Sequence, residues 1–226
     1  MSELTRLNHM MRVVSVLGLL LALFMSEVSA ADTSAFAALS VTAFGEQQFD
    51  IATGVTTLTG GGEVRDQKTK VRLTGSFIRF RDGVFIEAEG TQVEGSFGTL
   101  QADNISIDIP GGKLVAQGHL MLTRGSLEVS SGALTLFADA DIVRFEGGVS
   151  GMGPSFTAAT ALLDVISGDV LLLGPYSFEA GPFHLTASNE GAMLELTYIE
   201  LDEGPSYDAA SEVSPDFLTR IRPFFP

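Results

Sequence analysis

Between Phe49 and Leu201 apolar and polar residues alternate in short runs punctuated by glycine. In KVRLTGSFIRF, Val71, Leu73, Ile78 and Phe80 share one face, while Lys70, Arg72, Arg79 and Arg81 share the other. Strict alternation is the mark of a half-buried strand. NISIDI presents Ile105, Ile107 and Ile109 to one side. VFIEAEG is less clean, because Phe85 competes with Val84 and Ile86. VLLLG is apolar throughout and reads as a strand covered on both faces. FTAATALLDVI can also be written as a helix, but the glycine punctuation around it favours strand.

The glycines set a period. Gly62, Gly90, Gly118, Gly148 and Gly174 lie 28, 28, 30 and 26 residues apart. Each opens a unit with the same grammar, expected to hold about three short strands. Repeats of this length signal a stacked architecture. A strand with one apolar face must bury it, so two sheets with apolar inner faces satisfy the pattern, open at the ends of the stack. The expected inner set is Val71, Leu73, Ile78, Phe80, Leu100, Ala102, Ile105, Ile107, Leu114, Leu127, Val129, Leu134, Leu136, Phe145, Phe156, Phe183 and Leu185.

The ends of the chain differ from its middle. Residues 1–30 carry Arg6 and Arg12, an apolar run from Val13 to Met25, and Val28-Ser29-Ala30. These are the parts of a secretory signal peptide cut after Ala30, with an uncleaved anchor as the alternative. Residues 31–202 make one β-domain. Residues 203–226 read as a flexible acidic tail, able to dock back or to contact a partner through the aromatic residues Phe217, Phe224 and Phe225.

Composition removes several functions. There is no cysteine, which excludes thiol catalysis, zinc–thiolate sites and disulfides. The net charge of −15 argues against nucleic acid as a partner. His119 and His184 are too few and too distant in sequence for a metal site. Asp139 and Asp141 could offer oxygen ligands to calcium, yet the rest of a calcium loop is missing. Asp103 and Asp108 invite a carboxylate-pair reading, but nothing else marks them as catalytic. No nucleophile elbow or phosphate-binding loop occurs, so the chain is not read as an enzyme and needs no cofactor. One cluster stands out: Arg65, Lys68, Lys70, Arg72, Arg79 and Arg81 lie within seventeen residues of an otherwise acidic chain. It is either a solvated strand face or a contact for an anionic headgroup or an acidic partner edge, and Lys68, Lys70, Arg72, Arg79 and Arg81 are its candidates.

The stretch GTLQADNISIDIPGGKLVAQG carries a resemblance through Leu100, Ala102, Asp103, Ile105, Gly111-Gly112, Leu114, Ala116 and Gly118. A weaker copy runs from Leu134 to Gly148. Together with the leader they resemble the OstA-like family of periplasmic lipopolysaccharide-transport proteins, which includes LptA and LptC. The resemblance spans roughly Phe49 to Leu201. It implies a β-jellyroll of two V-shaped antiparallel sheets in the periplasm. It also implies an apolar groove that holds the acyl chains of lipopolysaccharide or a related envelope lipid. Partners would join edge to edge, either as further copies or as other transport-bridge jellyrolls. Many phenylalanines and a long acidic tail depart from the family pattern. The residues themselves leave one alternative open: a secreted scaffolding or adhesion domain whose inner side chains fill the space between the sheets.

Overall fold

The computed structural model describes residue 36, residues 39–201 and residues 204–226, without the side chains of residues 204 and 205. The leader lies outside the described residues. Sixteen antiparallel strands form one hydrogen-bonded network that folds back on itself into two facing layers. Six short strands come first: β1 (Leu39–Ala43), β2 (Gln47–Asp50), β3 (Val55–Leu58), β4 (Gly62–Asp66), β5 (Arg72–Gly75) and β6 (Phe77–Arg81). Seven long strands follow: β7 (Phe85–Gly95), β8 (Gly98–Asp108), β9 (Lys113–Arg124), β10 (Leu127–Phe137), β11 (Ile142–Met152), β12 (Ser155–Asp164) and β13 (Val170–Ala180). β14 (Phe183–Ala187), β15 (Met193–Leu201) and β16 (Gly204–Ala210) complete the network.

Each long strand belongs to both layers, because it bends in its middle. Residues 85–89 of β7 pair with β6, while residues 92–94 pair with β5. At the other end, residues 170–173 of β13 pair with β15, while residues 176–180 pair with β14. The first layer therefore runs β1-β4-β5, then one arm of each of β7 to β13, then β14. The second runs β2-β3-β6, the other arms, then β15 and β16. This is the two-sheet jellyroll expected from the sequence.

The glycine ruler has a different meaning from the expected one. Gly90, Gly118, Gly148 and Gly174 do not open units; they sit at the corners of β7, β9, β11 and β13. Gly90, Gly118 and Gly148 have φ of 56°, 74° and 81° there. The sequence repeat is thus a pair of bent strands, in place of three straight ones. A strand must leave its sheet at a corner without losing its inward face, and positive φ at glycine permits that break at little steric cost. Apolar spacing records the break. Within an arm inner residues are two apart, as in Leu100 and Ala102 or Ile105 and Ile107; across the corner of β8 they are three apart. Across β9 the step from Ala116 to Leu120 is four, so there the alternation passes through the corner in phase.

The segment FTAATALLDVI, for which a helix was the alternative, forms β12 and the turn after it. Its far arm and that of β13 are buried on both faces. Ala161, Leu163, Val170 and Leu172 point into the space between the layers. Leu162 and Leu171 join Ile142 on the outer side and pack against Phe217 and Ile221. Those two residues belong to helix α1 (Pro215–Ile221). The expected flexible tail is, in the described residues, a strand and a docked helix.

Three contacts fix this segment. Glu195, buried on β15, accepts hydrogen bonds from the Ser214 backbone N–H (2.6 Å) and hydroxyl (3.1 Å) at the helix start. The Arg220 guanidinium lies 2.5 Å from the buried Asp164 carboxylate. Arg144 donates to the carbonyls of Phe224 (3.2 Å) and Phe225 (3.4 Å), and the Phe224 ring meets Phe137 at 4.8 Å. Sequence alternation around residues 161–163 had no partner for the second apolar face; the terminal aromatics supply it.

Two outcomes test this account. Gly118→Ala places a Cβ 2.4 Å from Asp103 Oδ2 at a positive φ, and should cost about 1–3 kcal/mol. Gly191→Ala, which meets open space, should stay within about 0.5 kcal/mol of the parent, both read from urea midpoints. Phe217→Ala should cost about 3 kcal/mol and speed amide exchange in α1 and β16 before the rest of the network.

Candidate functional site

The space between the layers is lined from end to end by one contiguous apolar cluster. Of the expected inner set, Val71, Leu73, Ile78, Leu100, Ala102, Ile105, Ile107, Leu114, Leu127, Val129, Leu134, Leu136, Phe145 and Phe156 are all buried in it, each at most 7% exposed. Phe80 is partly buried against the same cluster. Leu73, Leu100, Leu127, Val129 and Phe156 come from the first layer; Ile78, Ile105, Leu114, Leu134 and Phe145 come from the second. Side chains from both layers thus shut this interior off from water.

Phe183 and Leu185 differ. They are 70% and 39% exposed. Their register explains why: Phe183 stands opposite Ala180 and Leu185 opposite Phe178, which is buried. Both therefore share the inward face of the first layer, but β14 is its last strand. The second layer ends differently, in β15 and β16, so nothing in the described residues closes over them. Alternation assigned these two the right face; it had no means of showing that the strand lies at an edge.

Much of the lining lies outside the expected set, although alternation did put Ile109 on the face of Ile105 and Ile107. Val93, Leu122, Phe178, Leu194 and Leu196 are equally buried, as are Phe97, Ile109 and Val165. The last three sit in the turns where the long strands reverse. Turns after β7 and β9 lie at the free rim of the first layer, and turns after β8 and β12 at the rim of the second. Phe97, Ile109 and Val165 plug the opening between the rims. Arg124, at the end of β9, reaches across and donates from Nη2 to the Val165 carbonyl at 2.6 Å. An arginine beside a Gly-Ser turn was the available signal, and it is a weak one.

The basic cluster is dispersed by the fold. Lys68 and Lys70 occupy the turn between β4 and β5, Arg72 faces outward on the first layer, and Arg79 and Arg81 face outward on the second. Glu63 takes Arg65 and Arg72 (2.6 Å), and Arg72 also reaches Glu94 at 3.4 Å. Arg79 pairs with Glu87 at 3.0 Å and lies over the Phe85 ring. Hydrogen bonds from Arg65 and Arg72 hold the Glu63 carboxyl down at about 2. A cavity of about 500 Å³ opens beside Arg79, but Glu87, Glu89, Asn104 and Ser106 line it, on the outer face of the second layer.

The remaining candidates serve corners and turns. His119 Nδ1 lies 2.8 Å from Asp103 Oδ2, joining the corners of β9 and β8. His184 pairs with Glu179 across β13 and β14. Asp108 accepts from the Gly111 N–H at 3.2 Å inside its own turn. Asp139 and Asp141 lie in the turn between β10 and β11. Among the described residues no three histidine, aspartate or glutamate side chains gather as a metal site.

No family model matches the chain, and no curated protein matches it. Among solved structures it is similar to LptH of Pseudomonas aeruginosa, the LptA-homologous periplasmic component of the lipopolysaccharide transport device. That likeness has 12% sequence identity and a TM-score of 0.26, and it covers 78% of this chain and 95% of the other.

Because Glu63 is more acidic folded than unfolded, its contribution is present above its ordinary value near 4.5 and is lost as pH falls through about 2. Glu63→Gln should therefore reduce stability at pH 6 and by much less at pH 2, where most of that contribution is gone. Denaturant midpoints at the two pH values, at low salt, check this.

Proposed function

We propose that this protein is a periplasmic lipid carrier whose two layers hold acyl chains between them, as a bridge or chaperone for lipopolysaccharide or a related envelope lipid. The observation that carries the reading is the continuous apolar interior, which reaches an edge where inward-facing Phe183 and Leu185 stand exposed. Burying a methylene is worth about 0.8 kcal/mol, so a twelve-carbon chain gains roughly 9 kcal/mol before the cost of ordering it. No directional polar contact is needed for that affinity, which suits a surface built from repeated strands.

The closed interior sets a condition on the mechanism. Hydrocarbon enters as the layers part along their rims, which Phe97, Ile109 and Val165 line, and it replaces contacts those side chains make within the interior. Protein–protein apolar contact is exchanged for protein–lipid apolar contact, so the net cost of opening is far smaller than exposure to water would be. Phe183 and Leu185 offer the first apolar contact for a chain arriving at the edge. The edge strands, β1 and β14 of the first layer and β2 and β16 of the second, are the candidates for edge-to-edge pairing with another copy or with a related jellyroll. Catalysis has no part in this reading. The leader expected in residues 1–30 directs export, and among the described residues no helix is long and apolar enough to cross a membrane.

The test is native mass spectrometry of protein purified from an envelope fraction without detergent. Bound acyl lipid is expected, at one or a few molecules per chain, and Leu185→Glu should reduce its occupancy several-fold. Lipid-free protein that also fails to take up added lipopolysaccharide would instead establish the scaffolding alternative, a domain whose inner side chains simply fill the space.

A further inference from the structure

Beside the rim contact of Arg124 lies a cavity of about 320 Å³, lined by Arg124, Ser126, Ser167, Tyr198 and Tyr207 among others. It sits between the turn after β9 and the turn after β12, against the last two strands of the second layer. Only half of the Arg124 fork is engaged in the protein. Nη2 donates to the Val165 carbonyl, while Nη1 is buried and has no hydrogen-bond partner. A buried guanidinium nitrogen without an acceptor costs free energy, and a native site that keeps one is often completed by something bound.

The nearby carboxylates are engaged elsewhere. Asp169 accepts from the Tyr198 backbone N–H at 2.8 Å, and Glu200 accepts from the Tyr198 hydroxyl. Tyr207 is half-buried, packs against the apolar interior and lines the cavity. Burial chiefly raises its phenol to about 12, so it remains a proton donor at any physiological pH. The Ser126 and Ser167 hydroxyls add rotatable donors.

We infer that this cavity is a binding site for a phosphate group, held by Arg124 Nη1 and by the hydroxyls of Tyr207, Ser126 and Ser167. Phosphate matches the donor set: a guanidinium corner and several hydroxyl-bearing side chains line one cavity, and phosphate brings three acceptor oxygens to them. The position gives the site its meaning. Val165, which Arg124 touches, and Tyr207, which lines the cavity, both belong to the apolar interior or pack directly on it. A phosphate bound here places any attached hydrocarbon at the rim opening. Such a ligand is a phosphorylated acyl lipid, and that lipid half of the inference rests on the carrier reading above. The phosphate half does not. In a chain of net charge −15, a basic group without a carboxylate partner is also where an anionic headgroup is least repelled.

Isothermal titration of the full chain with three probes separates these parts. The probes are dihexanoylphosphatidate below its micelle concentration, inorganic phosphate, and octyl glucoside as a neutral amphiphile. Arg124→Gln should weaken dihexanoylphosphatidate binding at least tenfold relative to octyl glucoside, and Tyr207→Phe should weaken it several-fold with octyl glucoside binding unchanged. Tyr207→Phe keeps the ring packing, so it decides the matter should Arg124→Gln unfold. Phosphate that binds in an Arg124-dependent way while neither amphiphile binds would retain the site and overturn the lipid carrier. Unchanged dihexanoylphosphatidate affinity in the folded variants would overturn the site. Failure of both phosphate probes against the parent protein would also overturn it, even with octyl glucoside bound.

Discussion

The structure depends on one constraint: each long strand must change layers halfway along and still present its apolar side chains to the same interior. A β-strand alternates its faces with a period of two, so an extra residue at the bend reverses every side chain beyond it unless the backbone compensates. The corners at Gly90, Gly118 and Gly148 use positive φ to make that compensation. Inner residues are three apart across the corner of β8, which breaks the alternation, while the four from Ala116 to Leu120 across the corner of β9 stay in phase with it. Once this is met in each of β7 to β13, two layers and one shared interior follow without any further device.

The same constraint determines where the molecule is vulnerable and where it can act. Corners join the layers along one side, so the layers can part only along the other, where the turns reverse. That side is closed by a few apolar turn residues and by the reach of Arg124 to Val165. Long-range hydrogen bonding is concentrated within the layers, whereas the rim is held by side chains. The opposite flank of the second layer is covered by α1 and the terminal aromatics, and its buried polar groups, Asp164 and Glu195, are both partnered. The rim is thus the weaker of the two coverings.

Charge acts locally. The basic residues that lie together in the sequence are separated by the bend between β5 and β6, and Arg65, Arg72 and Arg79 among them pair with Glu63, Glu94 and Glu87. Arg124, isolated in the sequence, keeps a buried donor without an acceptor. Proximity along the chain therefore said little about which cations stay together in the fold, because β5 and β6 lie in different layers.

The sequence by itself determined the strands, their inward faces and the two-layer arrangement. Alternation and glycine spacing are local properties, and burial of one face against another is the only way to satisfy them. It placed Leu100, Ala102, Ile105 and Ile107 correctly, even across a corner it did not recognise as one. Only the tertiary structure decided that the ruler glycines are bends, that Phe183 and Leu185 lie at an edge, that the tail covers Leu162 and Leu171, and that Arg124 meets Val165. Each of these is a relation between residues far apart in the chain. Such relations depend on which strand ends up beside which, and alternation carries no information about that.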